Sequence, residues 1–406
     1  ADVIVMLVDA RSGVTASDRD VADALRPTGK PIVLAANKAD DEKHEGEAML
    51  FYELGLGDPV PVSAYHNRGI DELMAQVVHG LLERSGADPA GLEDLIIGCA
   101  FPEGEQGLNV ARIVGFLADL PPSVAGTTVN RFCGSSMQAV HMAAGAIAIG
   151  AGEAFVCGGV ESMSRVPMMG FNPLPHPGLY ERAPEVYINM GLTAENLARK
   201  YDISREAQEA FALESQQRTV RAAGDGNFDA EIVAIENGGG PVTTDGCPRP
   251  DSSLEALAGL KPAFDAEGSI TAGTSSPLTD GAAAVLVTSA DYARRHKLTV
   301  MAHIRATAVS GCAPEIMGIG PIEATRKALD RAGLELGQMD LIELNEAFAS
   351  QALYCIRELG LDLDKTNVNG SGISLGHPIG ATGAIMTVKL MEEMQARDQE
   401  IGLVTM

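Results

Sequence analysis

One cysteine of this 406-residue sequence lies where a β-type run meets a helix that is rich in small residues. It is Cys133, in the stretch VNRFCGSSMQAV. The unpaired N–H groups and the positive dipole end at a helix start favour a thiolate, so we expect a lowered pKa and a nucleophilic sulfur. A cysteine taken at random is more often an inert core residue, but Gly134 lets a substrate approach the backbone closely. The stretch therefore predicts a nucleophile.

A nucleophilic thiol needs a base, and His377 is the best candidate among the eight histidines. It lies in the glycine-rich turn NGSGISLGHPIGATG, which leads into a second helix, AIMTVKLMEEM. Glycines on both sides permit close packing against a ligand, and Pro378 restricts the turn. A histidine in a loop is more often a surface residue, so this prediction depends on the setting.

Asn345, in the stretch NEAFA near the start of a predicted helix, is a third candidate. Its amide could orient a water molecule toward a developing oxyanion. Taken alone, the stretch fits a helix N-cap with an acidic first turn equally well. Only the combination with Cys133 and His377 favours a catalytic role.

From about residue 84 to Met406 the sequence resembles the thiolases, which are acyl-CoA acyltransferases. The resemblance is carried by RSGADPAGLEDLIIGCAFPEGEQGLNVARI, by the Cys133 stretch and by GHPIGATG. It implies cleavage of a 3-ketoacyl-CoA by CoA, or the reverse condensation, with CoA as a substrate and with no metal or other cofactor. It also implies that Cys133 carries the acyl group, that His377 activates it and helps bind the thioester oxygen, and that Asn345 orients the water. Members of the family are homodimers or homotetramers.

For coenzyme A the sequence offers GTSSPLTDGAA, in which small residues around a turn could pass a pantetheine arm. The resemblance places Ser276 on that arm and Arg249 near the adenine end. Arg249 would also bring positive charge to a site that binds a polyanion on an acidic protein. A loop subdomain, at about 161–262, is expected to cover the site.

Residues 1–82 follow another plan, in which apolar β runs alternate with amphipathic helices, as in a parallel α/β sheet. The motifs NKAD and SAY at its strand ends resemble the base-recognition half of a G domain, most closely the first G domain of the ribosome-assembly GTPase Der. That resemblance assigns guanine contacts to five residues: Asn37, Lys38, Asp40, Ser63 and Ala64. The sequence contains no G-x-x-x-x-G-K-[ST], so GTP hydrolysis and guanine-nucleotide binding are not expected.

Thiolases have a second catalytic cysteine in a hairpin that follows a strand matching Glu400–Met406. This sequence stops at Met406 and does not include that cysteine, which would deprotonate the incoming CoA thiol. We therefore expect acyl transfer to Cys133 but slow transfer of the acyl group to CoA, because general acid-base catalysis typically contributes about 10²- to 10⁴-fold to a rate. Two alternatives stay open: a guanine-nucleotide-binding fragment of ribosome assembly, and a chimera without function.

The amino-acid composition limits the possible binding partners and the cellular compartment. The net charge is −25 with no Lys/Arg cluster, which argues against nucleic acid and anionic membranes as partners. Six scattered cysteines without metal spacing predict reduced thiols in a cytoplasmic setting. We therefore predict an α/β protein of thiolase-like repeated α/β/α layers, preceded by a partial P-loop GTPase-type α/β sheet. The expected domains are 1–82, 83–296 and 297–406.

Overall fold

The computed structural model describes residues 4–9, 12–30, 32–37, 47, 49–57, 59–61, 69–236 and 240–406. Its strands are β1 Ile4–Asp9, β2 Ile32–Asn37, β3 Val60–Pro61, β4 Asp94–Gly98, β5 Ala125–Val129, β6 Ala154–Ser162, β7 Ile235–Glu236, β8 Pro241–Val242, β9 Asp280–Thr288, β10 Leu341–Leu344 and β11 Gly402–Thr405. Its α-helices are α1 Ala16–Leu25, α2 Ile70–Ser85, α3 Val110–Leu117, α4 Ser135–Ala148, α5 Pro177–Arg182, α6 Met190–Lys200, α7 Arg205–Gly224, α8 Leu254–Ala258, α9 Ala290–His296, α10 Gly320–Ala332, α11 Ala349–Leu359, α12 Gly372–Leu375 and α13 Thr382–Ala396.

The chain forms two compact units, Ala1–Gly69 and Ile70–Met406. The division lies earlier than the boundary predicted at residue 82, because α2 belongs to the second unit. Its buried side chains, Met74, Val78 and Leu82, pack into the same core cluster as the apolar residues of β4. Helical periodicity shows which face of α2 is apolar, but not which core receives that face.

In the first unit β1, β2 and β3 form a parallel sheet in that order, as the alternating pattern predicts. Helix α1 begins at a capping box in which Thr15 and Asp18 exchange hydrogen bonds. Asn37 is the last residue of β2. Its side chain and the whole of Lys38, Asp40, Ser63 and Ala64 lie outside the described residues, so the predicted guanine contacts are not tested.

The second unit is built on a four-stranded sheet with the order β5-β4-β6-β9. Strands β4, β5 and β6 are parallel, and β9 is antiparallel to β6. Side chains alternate across the sheet, as the pleat requires: Leu95 and Ile97 face the cluster of α2 and α3, whereas Ile96 lies in the cluster that contains Ala139 and Ala143 of α4. The predicted α/β class with helix layers on a sheet is therefore confirmed.

A second, smaller sheet pairs β10 and β11 in parallel. Helices α10 and α11 cover one face through Ile322, Cys355 and Ile356, which share a cluster with Leu344. Helix α13 packs against β10 and β11 and also against β9 and α4, so it lies in the layer between the two sheets. The chain between β6 and β9 carries α5 to α8 and the short pair β7–β8. No helix within the described ranges combines the length and the apolar composition that crossing a bilayer demands.

Candidate active site

A tight corner holds Cys133 between β5 and α4. The 3₁₀ turn Phe132–Gly134 precedes α4, which begins at Ser135. Phe132 has φ of 46°, a left-handed conformation that a bulky side chain rarely adopts. The corner is stabilised because the N–H of Phe132 donates to Asn130 Oδ1 at 2.8 Å and Ser135 Oγ donates to the carbonyl of Phe132 at 2.6 Å. Cys133 is thereby placed at the start of the helix, as predicted.

His377 is buried in the turn that joins α12 to α13. Gly376, with φ of 94°, makes this turn possible, since a Cβ there would lie 2.6 Å from Thr279 Oγ1. The same hydroxyl accepts the N–H of His377 at 3.2 Å. The ring then lies with Nε2 3.2 Å from Cys133 Sγ. The structure therefore brings together the two residues that the sequence separates by 244 positions.

Close packing of two helix starts makes this contact possible. A Cβ on Gly159 would overlap the carbonyl oxygen of Gly380, and a Cβ on Gly383 would lie 2.5 Å from the backbone of α4. In the space left by these glycines, the N–H of Ser136 donates to the oxygen of Gly380 at 3.1 Å. The N–H of Ala384 in turn donates to Ser136 Oγ at 2.9 Å. The starts of α4 and α13 are thus hydrogen-bonded to each other beside the site.

The hydrogen bonds of His377 assign its tautomer. Thr382 Oγ1 donates to the carbonyl of Pro378 at 2.8 Å, so its hydrogen is already used. The same oxygen lies 2.6 Å from His377 Nδ1 and therefore accepts a hydrogen bond from the Nδ1–H. Nε2 is therefore unprotonated and can accept the Cys133 proton. Burial lowers the pKa of His377 to about 4, which keeps the ring neutral near pH 7.

The pKa of Cys133 differs from the prediction. Burial raises the pKa of its thiol to about 12, and the charge of Glu161 adds to the rise, whereas the backbone N–H of Cys133 itself lowers it. The predicted fall is wrong because desolvation disfavours a thiolate more strongly than one helix end favours it. The resting pair is therefore a neutral thiol beside a neutral imidazole. Transfer of the thiol proton to His377 Nε2 would give the thiolate.

Asn345 lies in the same site, immediately after β10. Its backbone N–H donates to the carbonyl of Thr405 at 3.1 Å, and its Nδ2 lies 3.4 Å from His377 Nε2. Helix α11 begins later, with Phe348 at its N-cap, so Asn345 does not cap that helix. Within the described part of the chain, its buried Oδ1 has no hydrogen-bond partner. A buried amide oxygen without a partner fits a water molecule or a substrate group.

The two residues assigned to coenzyme A lie in different surroundings. Ser276 is half-buried, and its N–H donates to the carbonyl of Ala347 at 3.0 Å, close in sequence to Asn345. Arg249 is exposed, and its N–H donates to Gln216 Oε1 at 2.8 Å. Among the described residues no hydrogen bond joins Arg249 to Cys133, His377 or Asn345. In those residues no group of three or more His, Cys, Asp or Glu could hold a metal ion.

Sequence reasoning missed two residues of this neighbourhood, Thr382 and Glu161. Thr382 follows His377 by five positions in GHPIGATG, where a hydroxyl at a helix start is a visible signal. Glu161 ends the otherwise apolar run AFVCGGVE, and a single acid in a buried strand is a signal as well. Both act through tertiary contacts that a linear motif does not show.

Comparisons with known proteins show which family the chain resembles. The family model described as "Thiolase, N-terminal domain" matches residues 61–291, and "Thiolase, C-terminal domain" matches residues 298–406. The chain is 47% identical over 349 residues to a 3-ketoacyl-CoA thiolase of Bacillus subtilis (strain 168), covering 83% of this chain and 89% of the relative. It is 48% identical over 352 residues to a 3-ketoacyl-CoA thiolase of Shewanella frigidimarina, covering 84% and 91%. The crystal structure of the Bacillus anthracis acetyl-CoA acetyltransferase superposes with a TM-score of 0.75 at 40% identity, covering 84% of this chain and 91% of that one.

Proposed function

The chain belongs to the thiolase family of acyltransferases, and we propose that it cleaves a 3-ketoacyl-CoA with CoA, or runs the reverse condensation, through an acyl group on Cys133. One observation carries this proposal. The Cys133 thiol lies 3.2 Å from the Nε2 of His377, which carries no proton and is held neutral by burial. A nucleophile within hydrogen-bond reach of a free base, itself oriented by a third group, is the arrangement that covalent catalysis needs.

The first half-reaction begins with proton transfer from Cys133 to His377. The thiolate attacks the 3-keto carbon, and the C2–C3 bond breaks with its electron pair leaving on the acetyl-CoA fragment. The proton taken from the thiol balances the one that this carbanion gains. In the second half-reaction the thiol of CoA attacks the acyl thioester, releases the shortened acyl-CoA and returns the proton to Cys133.

Charge develops on the carbonyl oxygen in both half-reactions. The imidazolium of His377 and a water molecule held by Asn345 are placed to donate hydrogen bonds to that oxygen. The partnerless Oδ1 of Asn345 supports the water, because it offers a buried acceptor beside the reacting pair. In this proposal Asn345 acts on the oxyanion and leaves the ionisation of Cys133 to His377.

The substrates in this proposal are an acyl-CoA and free CoA, with no further cofactor. Ser276 would contact the pantetheine arm, since its backbone is joined to the segment that carries Asn345. Arg249 would face the phosphates or the adenine, as an exposed cation on a chain of net charge −25. A homodimer or homotetramer in the cytoplasm stays a prediction, and native mass spectrometry measures the assembly directly.

Intact-mass spectrometry tests the central step. Mixing the protein with acetyl-CoA should add one acetyl group, and Cys133→Ala should abolish the adduct. A folded Cys312→Ala variant, which removes an exposed thiol, should acylate like the wild type. A wild-type protein that stays unmodified at saturating acetyl-CoA, or an adduct that persists in Cys133→Ala, would contradict the assignment.

For the first unit we propose a GTPase-type sheet fragment that takes no part in acyl transfer. The parallel order β1-β2-β3, with Asn37 of NKAD at the end of β2, supports this relationship. Calorimetric titration with GDP is expected to show no binding, because no phosphate loop motif is present in the sequence. Saturable binding of GDP would favour the guanine-nucleotide alternative instead.

A further inference from the structure

Glu161 is a fully buried carboxylate near the end of β6. Within the described residues no ion pair joins it to a cation, yet its two oxygens accept from several N–H donors. These are Ala100 N at 2.8 Å, Phe101 N at 3.2 Å, Gln106 Nε2 at 2.6 Å and Gly380 N at 2.8 Å. Burial raises the pKa of Glu161, whereas the hydrogen bonds from these four donors lower it. A carboxyl whose two oxygens only accept fits the ionised form.

The donors belong to two loops, of which one follows β4 and lies beside the corner of Cys133 and the other carries His377. On one side, the carbonyl of Ala100 accepts Asn130 Nδ2 at 2.8 Å, and Asn130 holds the corner before Cys133 through Phe132. On the other side, Gly380 lies in the turn just after His377. One carboxylate therefore binds the turn just after His377 directly, and it is joined to the corner of Cys133 through Ala100 and Asn130.

We propose that Glu161 is a positioning residue, which sets the contact between Cys133 Sγ and His377 Nε2 by binding the turn after His377 and, through the loop after β4, holding the corner of Cys133. The inference rests on the proposed function, since a fixed distance matters only if the two groups react together. It adds a residue that touches neither the substrate nor the reacting atoms. Misplacement of reacting groups by about 1 Å can lower a rate by about 10²-fold, so a connection of this kind has a measurable effect.

Geometry, rather than charge, is the part of Glu161 that helps the reaction. Its negative charge raises the pKa of Cys133 and so works against the thiolate. A group that opposes ionisation of the nucleophile cannot serve by activating it directly. Its benefit must come from the hydrogen bonds to Ala100 and Gly380.

The test compares Glu161→Gln with Glu195→Gln. Glu195 is also buried and also accepts backbone N–H groups, from Ile270 at 2.8 Å and Ser269 at 3.0 Å, but its partners lie away from Cys133 and His377 in the chain. The side-chain amide introduced by Glu161→Gln has one NH₂ group, so it loses either the donors Ala100 and Gly380 or the donors Phe101 and Gln106. Phe101 lies in the same loop as Ala100, so the loss of either pair weakens the connection between that loop and the turn after His377. Both variants should lower the melting temperature.

Only Glu161→Gln should slow single-turnover acylation of Cys133 by acetyl-CoA, by about 10²-fold. The acetyl-CoA concentration for half-maximal rate should change by less than about twofold, because substrate contacts remain. The proposal would be overturned if the two variants had equally reduced acylation rate constants at the same loss of melting temperature. It would also be overturned if Glu161→Gln changed only the acetyl-CoA concentration for half-maximal rate and left the maximal rate unchanged.

Alkylation of Cys133 by iodoacetamide at neutral pH, followed by mass spectrometry, separates this inference from the acyl-transfer proposal. Slower alkylation in Glu161→Gln but not in Glu195→Gln supports positioning, even if acetyl-CoA fails to acylate the wild type. Faster alkylation would mean that the charge of Glu161 dominates, and would overturn the proposal. If Glu161→Gln does not fold, Gln106→Met removes one donor of the carboxylate together with the hydrogen bonds of Gln106 to Phe101 and Ser162. It should slow acylation and alkylation less than Glu161→Gln does, and unchanged acylation and alkylation there would count against the proposal.

Discussion

The hydroxyl of Thr382 lies 2.6 Å from Nδ1 of His377, on the ring nitrogen that does not face Cys133. Because that hydroxyl already donates to Pro378, it accepts from the ring and leaves Nε2 free. In serine-protease triads a carboxylate has this role and also stabilises the imidazolium. A neutral hydroxyl orients the ring and gives much less of that stabilisation. The base in this site is therefore oriented without being made strongly basic.

Thr382→Val should slow acylation of Cys133 with little change in substrate affinity. Valine keeps the shape but cannot accept from Nδ1, so the ring would favour the tautomer whose proton faces Cys133. We expect a loss of about 10- to 10²-fold in the acylation rate constant, within the range of general-base contributions. Stopped-flow measurement of acylation at saturating acetyl-CoA gives this number.

Thr387→Val is the matched control for that change. Thr387 lies in the same helix and donates to the carbonyl of Gly383 at 2.7 Å, so it loses a similar hydrogen bond without touching His377. It should retain the wild-type acylation rate within about twofold, because no reacting group loses a partner. If the two valine variants lost activity equally, Thr382 would have no specific role in orienting the base.

Acid should destabilise the fold through His377. Its pKa falls from 6.5 to about 4 on burial, so between those values the unfolded chain binds more protons than the folded one. Stability then rises with pH across that window, is fully present above pH 6.5 and is lost as pH falls toward 4. The contribution is on the order of 3 kcal/mol. Urea unfolding at a series of pH values should show a slope that His377→Gln reduces, while replacement of the exposed His303 by Gln leaves it unchanged.

Asn345→Ala should lower acyl transfer without changing the reactivity of the thiol. In the proposed mechanism His377 takes the proton of Cys133 and the amide of Asn345 holds the water that stabilises the oxyanion, so the loss of the amide removes the support for that water. One such donor typically contributes about 10²- to 10³-fold. Acylation by acetyl-CoA should fall by that order, and iodoacetamide alkylation of Cys133 should stay within about twofold of wild type. Parallel losses in both assays would instead indicate that Asn345 positions the thiol or His377.

The pairing of Cys133 with His377 was predictable because each residue lies at a glycine-rich turn before a helix. Such turns place a side chain at a helix start and permit a close approach. The pKa of Cys133 was not predictable in the same way. A linear stretch shows that a helix begins but not how deeply its first residues are buried, and burial decides the sign here.

Glu161 and the boundary before α2 show a second limit of sequence reasoning. The partners of Glu161 include Ala100 and Gly380, which are far apart in the chain, so no local pattern predicts that one carboxylate binds both. The apolar face of α2 is visible in the sequence, but the identity of the core that receives it is a tertiary property. Whether a segment forms a helix or a strand follows largely from its local sequence. Which residues it packs against or hydrogen-bonds to depends on the assembled fold.

The close approach of β6 to the turn after His377 gives a stability test that needs no substrate. Alanine at position 159 would place its methyl group against the carbonyl oxygen of Gly380, so the turn after His377 would have to move. We expect Gly159→Ala to destabilise the protein by about 1–3 kcal/mol or more. Gly145, in the middle of α4, has open space where an added methyl group would lie, so Gly145→Ala should stabilise the helix by about 0.5–1 kcal/mol. Urea unfolding should show a lower free energy of unfolding for Gly159→Ala and a higher one for Gly145→Ala than for the wild type. An unchanged value for Gly159→Ala would mean that β6 and the turn after His377 are not held in close contact.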